Sequence, residues 1–391
     1  MSRLTVGSIE GLTENSNVIS VPTGHSLDVV DGIQVDGEYM TPYAGRRNLL
    51  YNGAMQIAQR GTSVAGITGT GYYTADRWRI TLTTLGTWTQ SVENDAPDGS
   101  GFSKSVKMLC TTANSSPAAG DSLRFRQFLE GQDLQRIAKG TSSAQQLTVS
   151  FWVKANVTGT YIIELFDNDN SKFVSSSYTV ASSATWERKV VTFPVDTTGV
   201  FNNDNNASLL VTWWLGAGSN ATSGTLQTSW GAHVEANRAV GQTNLAAATD
   251  NYWQITGVQL EVGDKATPFE HRSYGEELAL CQRYYYKLVS GGAYTWFTSG
   301  WSAGTTLVNS FIQLPISMRT TPTTLDATGS FQWQSTSNAT YSASSLNILA
   351  TESSSTVVLI RMTTASQTAG LWGHLRGANS SDAAIGLGAE L

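Results

Sequence analysis

Charged residues are scarce in this sequence: they make up 14% of the chain, whereas ordinary soluble proteins contain about 25%. The 24 Lys and Arg residues are outnumbered by 30 Asp and Glu residues, so the formal net charge is −6. A nucleic-acid-binding protein needs a surplus of Lys and Arg to replace the counterions of the phosphates. The charge balance therefore argues against a nucleic-acid partner.

Long apolar runs are also missing, since no segment approaches the roughly 18 residues that a membrane-spanning helix requires. Residues 1–11 lack the apolar stretch of a secretory signal, so we expect neither membrane insertion nor a Sec signal. Disorder is not expected either, because 40% of the residues are hydrophobic and can bury a core. Of the classes considered, a β-rich globular or fibrous protein is the one that fits this composition.

Cysteine and histidine are rare, with two and four residues respectively. Cys110 and Cys281 have no Cys or His at metal-binding spacing, and the His residues are scattered, so a zinc site is not expected. Two buried free thiols are the favoured interpretation of the cysteines. A disulfide between them is the alternative.

Hydroxyl residues are abundant instead: Ser and Thr account for 92 of the 391 residues, beside 37 Gly, 12 Trp and only 8 Pro. Thr and aromatic residues favour strands, and Ser and Gly favour the turns between them. A chain of this length exceeds what one core usually holds, so we expect two or three domains. The composition predicts an all-β fold.

Residues 47–272 have the pattern of a jelly-roll β-sandwich. Apolar residues alternate with other residues at 147–153, and the segment 209–215 is apolar nearly throughout, as in a strand buried on both faces. Gly257 predicts a bulge in a further strand. We expect one short helix here, at residues 133–139, with Gly140 just beyond its end.

The flanking segments differ from this pattern. Residues 1–46 contain short apolar pieces, such as residues 33–35, which predict a β-stalk wound around copies of itself or an arm that orders on docking. Ser273 and a Glu three residues later form a capping box, which predicts a helical connector at residues 273–288. Residues 289–391 predict a separate C-terminal β-domain.

The C-terminal segment is almost uncharged: residues 290–391 contain 7 charged residues and 33 Ser and Thr residues. A surface with so few charges predicts that identical neighbouring chains cover much of it.

Several motifs resemble the tail-fibre and receptor-binding proteins of marine bacteriophages, and together they touch most of the chain after residue 47. The carriers are NLLYNGAMQIAQRG at 48–61, YTADRW at 73–78, EGQDLQRIAKGT at 130–141, LTVSFWVKANVTGTY at 147–161, WQITGVQLEVGDKATPFEHRSYGEELALCQRYYYK at 253–287 and LPISMRTTPT at 314–323. The resemblance does not extend to residues 1–46.

This resemblance implies a homotrimer whose middle region has a carbohydrate-binding-module-like jelly roll and whose C-terminal domain is distal. It also implies that the N-terminus joins other tail or virion proteins and that the C-terminus meets a host receptor. The expected location is the virion, after assembly in the host cytoplasm. A capsid-mounted or decorating fibre without receptor specificity stays open as the alternative.

Five aromatic residues of the C-terminal segment are candidates for contact with a receptor or glycan, because aromatic rings can cover the apolar face of a sugar. They are Tyr294, Trp296, Trp301, Trp333 and Tyr341. Burial in the core or in an interface is the alternative for each Trp. The adjacent Trp213 and Trp214 must point to opposite faces of a strand. The one outside the core is either a platform for a ligand or a contact with a sister chain, and we favour the sister chain.

Two runs of Asp and Asn suggest a structural calcium site, with Asp167, Asp169 and Asp204 as weak ligand candidates. Polar hairpin turns explain these runs equally well, so no metal and no other cofactor is expected.

Catalysis is not expected, because nucleophile-elbow, zinc-protease and phosphate-loop motifs are missing from the sequence. The rival hypothesis is a polysaccharide-degrading tailspike, which needs two facing carboxylates. The acids that could supply such a pair are Glu130, Asp133, Glu164, Asp167 and Glu261. The prediction is a non-enzymatic tail fibre that binds a host-surface glycan or another receptor.

Overall fold

The computed structural model describes the backbone of residues 33–35 and 38–40 and all of residues 46–391. The chain divides into two units, residues 1–45 and residues 46–391. In the first unit, β1 (Ile33–Val35) pairs antiparallel with β2 (Glu38–Met40), which confirms the strand predicted at residues 33–35. The rest of the predicted stalk or arm lies outside the described residues.

The second unit begins with a β-sandwich. Its strands are β3 (Ser63–Ile67), β4 (Gly71–Tyr72), β5 (Arg79–Thr83), β6 (Thr87–Glu93), β7 (Ser105–Thr112), β8 (Ser122–Glu130), β9 (Leu147–Ala155), β10 (Gly159–Asp167), β11 (Lys172–Val180), β12 (Glu187–Phe193), β13 (Ala207–Ala217), β14 (Gly231–Ala232) and β15 (Tyr252–Val262). A single helical turn, α1 (Ser219–Thr222), follows β13.

These strands form two antiparallel sheets. The larger sheet has seven strands in the order β14-β11-β10-β13-β8-β5-β4, and the smaller has six in the order β12-β9-β15-β7-β6-β3. Consecutive strands repeatedly change sheet, as in a jelly roll. The predicted all-β class and the predicted jelly-roll sandwich are confirmed.

Alternation in the sequence explains how the two sheets bury one core. The apolar residues of β9, from Leu147 to Val153, are buried at every second position, as predicted. The centre of the core is aromatic: Trp78 stacks on Phe125 with ring centroids 4.9 Å apart, and Trp213 meets Trp78 edge-on at 5.8 Å. The predicted bulge is confirmed, because the pairing of β15 with β9 shifts next to Gly257.

The outer side of β13 shows that the prediction for Trp214 was wrong. This residue is 0% exposed in the single chain, where it forms a small second core with Ile162, Ala221 and Ala239. The segment after β13 folds back over the sheet and covers the indole. The chain itself therefore buries the ring that we expected to meet a sister chain.

The helix predicted at residues 133–139 is also absent. The chain forms two 3₁₀ turns instead, Gly131–Asp133 and Gln135–Ile137, and Ala138 then takes a left-handed conformation with φ of 52°. The Gly140 amide donates to the Asp196 carbonyl at 2.9 Å. This tertiary bond draws the chain away from a helical path.

The C-terminal half begins with the predicted capping box, in which the Ser273 hydroxyl accepts from the Glu276 amide at 3.3 Å. The helix that follows, α2 (Tyr274–Gln282), is shorter than predicted, because the chain enters a strand three residues after it ends. No helix of the described part of the chain is long and apolar enough to span a membrane.

Nine strands follow the helix. They are β16 (Tyr285–Val289), β17 (Trp296–Ser302), β18 (Leu307–Gln313), β19 (Thr324–Thr328), β20 (Phe331–Ser335), β21 (Thr340–Ile348), β22 (Val357–Thr364), β23 (Trp372–Gly377) and β24 (Ala384–Gly388).

Six of these strands close a barrel in the order β17-β18-β22-β21-β20-β23, and three form a small sheet in the order β16-β24-β19. Val308, Trp333, Ile360 and Leu375 are among the fully buried residues of the barrel core. The predicted domain boundaries stay a prediction, because residues 46–391 form one compact unit.

A buried ion pair joins the sandwich to the C-terminal strands. Glu130, at the end of β8, is fully buried and accepts from the Arg283 guanidinium at 2.8 and 2.7 Å. The Tyr284 hydroxyl donates to the same carboxylate. Arg283 and Tyr284 lie between α2 and β16, so one carboxylate holds both elements against β8.

The C-terminal tail makes a second junction. Glu390 accepts from Arg77 of the sandwich at 2.7 Å and lies 3.2 Å from the Arg60 guanidinium. The Arg319 guanidinium donates to the carbonyls of Ala389 and Glu390, each at 3.1 Å. Because Arg77 is buried away from water, the carboxylate of Glu390 supplies the negative charge that its guanidinium needs.

Both cysteines are free and buried, as predicted.

We expect Glu130→Ala to lower the free energy of unfolding by about 3 kcal/mol, because it leaves a guanidinium and a phenol without their acceptor. The measurement is urea unfolding at neutral pH. Glu276→Ala is the matched control: its carboxylate pairs with Arg46 at an exposed site, and its removal should cost less than about 1 kcal/mol. Equal losses for the two variants would contradict this role.

Candidate functional site

An aromatic surface lies on the outside of the barrel, where β17 runs between β18 and β23. Along β23, Trp372, His374 and Arg376 point outward, while Gly373 and Leu375 are buried. Along β17, Trp301 and Ser299 point outward in the same way. Side chains of neighbouring strands meet on this face because they alternate with the same period of two residues.

Register places the aromatic rings side by side. Trp301 lies opposite Trp372, with ring centroids 6.0 Å apart, and Phe311 of β18 lies 5.3 Å from Trp301 on the other side. Trp372 is 61% exposed, and Phe311 is also exposed. These three rings form a continuous apolar band across three strands.

A second group of rings lies further along the same strands. Trp296 stacks on His374 with centroids 3.7 Å apart and an interplanar angle of 5°. The Arg376 guanidinium lies 4.8 Å from the centroid of the Tyr294 ring. We call the six side chains of both groups the aromatic face; they are Tyr294, Trp296, Trp301, Phe311, Trp372 and His374.

Polar groups border these rings. Arg376 donates to the side-chain oxygens of Gln334 at 2.8 Å and Gln332 at 3.3 Å. The Ser299 hydroxyl lies 3.2 Å from Nδ1 of His374. An apolar platform with hydroxyl, amide and guanidinium groups beside it can hold a ligand that has both apolar faces and hydroxyl groups.

The interior of the barrel explains why the platform points outward. Trp333 fills the interior, and a Cβ atom on Gly373 would lie 2.7 Å from its ring and 2.2 Å from the Gln334 carbonyl. Position 373 therefore accepts only glycine. Trp372 and His374, on either side of this glycine, lie on the outer side.

Three of the five predicted aromatic candidates lie in the aromatic face: Tyr294, Trp296 and Trp301. Trp333 does not, because it is 0% exposed and belongs to the barrel core. Tyr341 lies opposite Trp333 in the register and packs against the same core. Burial removes Trp333 from contact with a receptor, whereas Tyr341 is only half-buried and its role stays a prediction.

Sequence reasoning missed Phe311, Trp372, His374 and Arg376. A signal for three of them was present, since the segment 372–376 alternates large or polar residues with Gly and Leu. Phe311 lies in the predicted C-terminal β-domain, but nothing in the sequence around it shows which neighbouring strand it meets.

The predicted calcium ligands are occupied by protein groups. Asp167 is fully buried against the Lys139 ammonium, and Asp169 accepts from the Asn202 amide at 2.9 Å. Asp204 accepts from the Asn206 amide at 2.9 Å. Within residues 46–391, no group of three His, Cys, Asp or Glu residues could hold a metal ion.

The acids that we considered for catalysis have partners as well. Glu164 forms a two-point ion pair with Arg238 at 2.7 and 2.6 Å, and Asp133 accepts from the Tyr51 hydroxyl at 2.7 Å. Glu261 accepts from the Thr267 hydroxyl at 2.6 Å.

Asp196 shares the Lys139 ammonium, at 2.9 Å, and also binds Lys172. Burial by itself raises the pKa of the Asp196 carboxyl, but hydrogen bonds from Lys172, Lys139 and Thr198 outweigh burial and bring the pKa to about 2. This carboxylate therefore favours the folded state at neutral pH.

We expect the Asp196 contribution to be fully present above pH 3.8, the ordinary pKa, and to be lost as the pH falls towards 2. Asp196→Asn should thus be less stable than the original chain at pH 7. It should lose less stability than the original chain when the pH falls from about 4 to about 2. Urea unfolding over a pH series measures both effects. The exposed Asp98→Asn is the control, and an unchanged acid dependence for Asp196→Asn would contradict the assignment.

No known protein family and no curated protein matches the sequence. Solved structures with some likeness to the chain include the enzymatically active domain of tailspike protein 4 of bacteriophage CBA120, at 15% identity and a TM-score of 0.29. That match covers 55% of this chain and 21% of the tailspike chain.

Carbohydrate-binding modules also match. TmCBM61 in complex with β-1,4-galactotriose is 10% identical with a TM-score of 0.29, and the match covers 56% of this chain and 99% of the other. The family 11 carbohydrate-binding module of Clostridium thermocellum is 8% identical with a TM-score of 0.27, covering 54% and 98% of the two chains. At such scores, these likenesses carry no argument about what this chain binds.

Proposed function

We propose that this protein is a non-enzymatic fibre component of a bacteriophage and that it binds a host-surface glycan through the aromatic face. One observation carries the proposal: the barrel exposes Trp296, Phe311 and Trp372 on one side, at 57%, 45% and 61% of their surface. Large aromatic side chains are normally buried, so a group of exposed rings marks a binding surface.

The chemistry of this surface suits a sugar. Indole rings offer flat apolar area for the C–H groups of a sugar ring, and they lose little conformational entropy on binding. Ser299, Gln334 and Arg376 border the rings with groups that can hydrogen-bond hydroxyls. Such contacts depend little on charge, so binding should persist in sea water, where salt screens charges beyond about 4–5 Å.

The resemblance of the sequence to marine phage fibres supports a place in the virion, with the N-terminal segment docked on other tail or virion proteins. It also supports a homotrimer. A role without catalysis is supported by the state of the buried acids, since Glu130 and Glu164 each bind an arginine.

We expect Trp372→Ala and Trp296→Ala each to weaken binding to host cells or to their purified polysaccharide by about 10- to 100-fold, as for aromatic hot spots. Binding of the full chain to the polysaccharide by calorimetry is the measurement, at low salt and at the ionic strength of sea water. Unfolding in urea should change little, because both indoles are largely exposed.

Tyr274→Ala is the matched control, since Tyr274 is an exposed aromatic residue on α2, outside the aromatic face. Binding by this variant should equal that of the original chain. Undiminished binding by both Trp variants would overturn the proposed site. Release of reducing ends from the polysaccharide would overturn the non-enzymatic role.

The native mass tests the fibre hypothesis separately. We expect light scattering on the full chain to give three times the mass of the 41.9 kDa chain. A monomer at micromolar concentration would contradict the trimer, whatever the glycan experiments show.

A further inference from the structure

A row of polar residues crosses the outer face of the seven-stranded sheet, far along the chain from the aromatic face. Arg79 of β5 pairs in register with Arg126 of β8, which pairs with Thr212 of β13, which pairs with Glu164 of β10. Residues in register on one face have Cβ atoms about 5 Å apart. The sheet thus sets two arginines beside each other.

A third arginine joins them. Arg124 lies two residues before Arg126 on the same face of β8, about 7 Å along the strand. Its guanidinium lies 4.9 Å from the centroid of the Trp214 ring. We call these three residues, Arg79, Arg124 and Arg126, the arginine triad.

The neighbouring acids, Glu164 and Glu235, act on the triad only from a distance and bind another arginine instead. Glu164 is fully buried and already forms its two-point ion pair with Arg238. The Arg238 guanidinium also forms an ion pair with the Glu235 carboxylate, at 2.9 Å.

Among residues 46–391, no acidic side chain forms an ion pair with any member of the triad. The guanidinium groups of Arg79 and Arg126 instead lie over the Phe128 ring, at 5.3 and 6.0 Å from its centroid. Three positive charges therefore share one face without an ion-pair partner in this part of the chain.

The hydrogen-bond donors of the triad are unused as well. Arg126 is only 7% exposed, yet within the described part of the chain Nε and Nη2 have no acceptor. Nε of Arg124 and the hydroxyl of Thr212 are likewise buried and unpaired in residues 46–391. Burial lowers the pKa of Arg126 well below its ordinary value, and the charge of Arg124 lowers it further.

An unpaired buried guanidinium costs several kcal/mol, and nothing in the sandwich core requires one at this position. The strands could carry an apolar residue here, as β8 does two residues later with the half-buried Phe128. The arrangement becomes favourable once a group with several negative oxygens enters, because guanidinium groups bind planar and tetrahedral oxyanions through paired hydrogen bonds.

We propose that the arginine triad is an oxyanion-binding site of the sandwich, which takes a sulfate or carboxylate group. Arg126 forms its floor, and the half-buried Arg79 and Arg124 form its open edge. The hydroxyl of Thr212 supplies a neutral donor beside them. The ligand is either a free inorganic anion or an acidic group carried by a polysaccharide.

The first test compares the full chain in sodium sulfate and in sodium chloride at equal ionic strength. We expect sulfate at millimolar concentration, where its general exclusion from protein surfaces has little effect, to raise the thermal midpoint by several degrees, because it binds the folded state alone. Arg126→Met removes the floor of the site and keeps an apolar side chain of similar length. It should raise the midpoint in chloride, where the buried charge is uncompensated, and abolish the response to sulfate.

Arg188→Met is the matched control, since Arg188 is an exposed arginine on β12 of the other sheet. It should keep the full response to sulfate. If Arg126→Met fails to fold, Arg124→Gln serves in its place and should reduce the apparent sulfate affinity at least about tenfold. An equal midpoint of the original chain in the two salts, or an undiminished response in both triad variants, would overturn the proposal.

Dextran sulfate and uncharged dextran identify the source of the anion. Binding of dextran sulfate that Arg126→Met abolishes assigns the site to a polysaccharide, whereas a response to inorganic sulfate alone assigns it to the free ion. Trp372→Ala should leave the response to inorganic sulfate unchanged, because the aromatic face lies on the barrel. An error in the assignment of the arginine triad and an error in the assignment of the aromatic face would thus appear in different variants.

Discussion

The buried carboxylate of Glu130 is the contact on which the arrangement of the second unit depends. It ends a central strand of the sandwich and binds both Arg283 and Tyr284, at the point where helix α2 gives way to the first C-terminal strand. A buried ion pair adds little net stability against an apolar contact, but it penalises every arrangement that leaves a charge alone. Together with the pairing of Glu390 and Arg77, it makes one geometry of sandwich and barrel far better than the others.

The barrel has a core of its own, and the aromatic face depends on the closure of the barrel. Closure brings β17 and β23 together, so that Trp301 meets Trp372 and Trp296 stacks on His374. Trp333 inside the barrel leaves room only for glycine at position 373. The crowding at this position leaves the indole of Trp372 and the imidazole of His374 on the outer surface, where they form the proposed platform for a glycan.

Much of the architecture was predictable from local patterns. The alternation from Leu147 to Val153, the bulge at Gly257 and the cap at Ser273 all depend on neighbours within a few residues, and each was confirmed. The helix at residues 133–139 was predicted wrongly, because a long-range bond from Gly140 competes with the local helical preference. Helix α2 ended early for the same kind of reason: Tyr284 is drawn to a carboxylate 154 residues away.

The sequence by itself determined some of the strands, such as β9, because alternation with a period of two needs no knowledge of partners. It determined that Trp213 and Trp214 face opposite ways, since successive residues of a strand must do so. Only the tertiary structure decided what each ring meets: the core takes Trp213, and a returning segment of the same chain covers Trp214. Strand pairing joins residues far apart in the sequence, so the arginine triad and the aromatic face exist only in the folded chain.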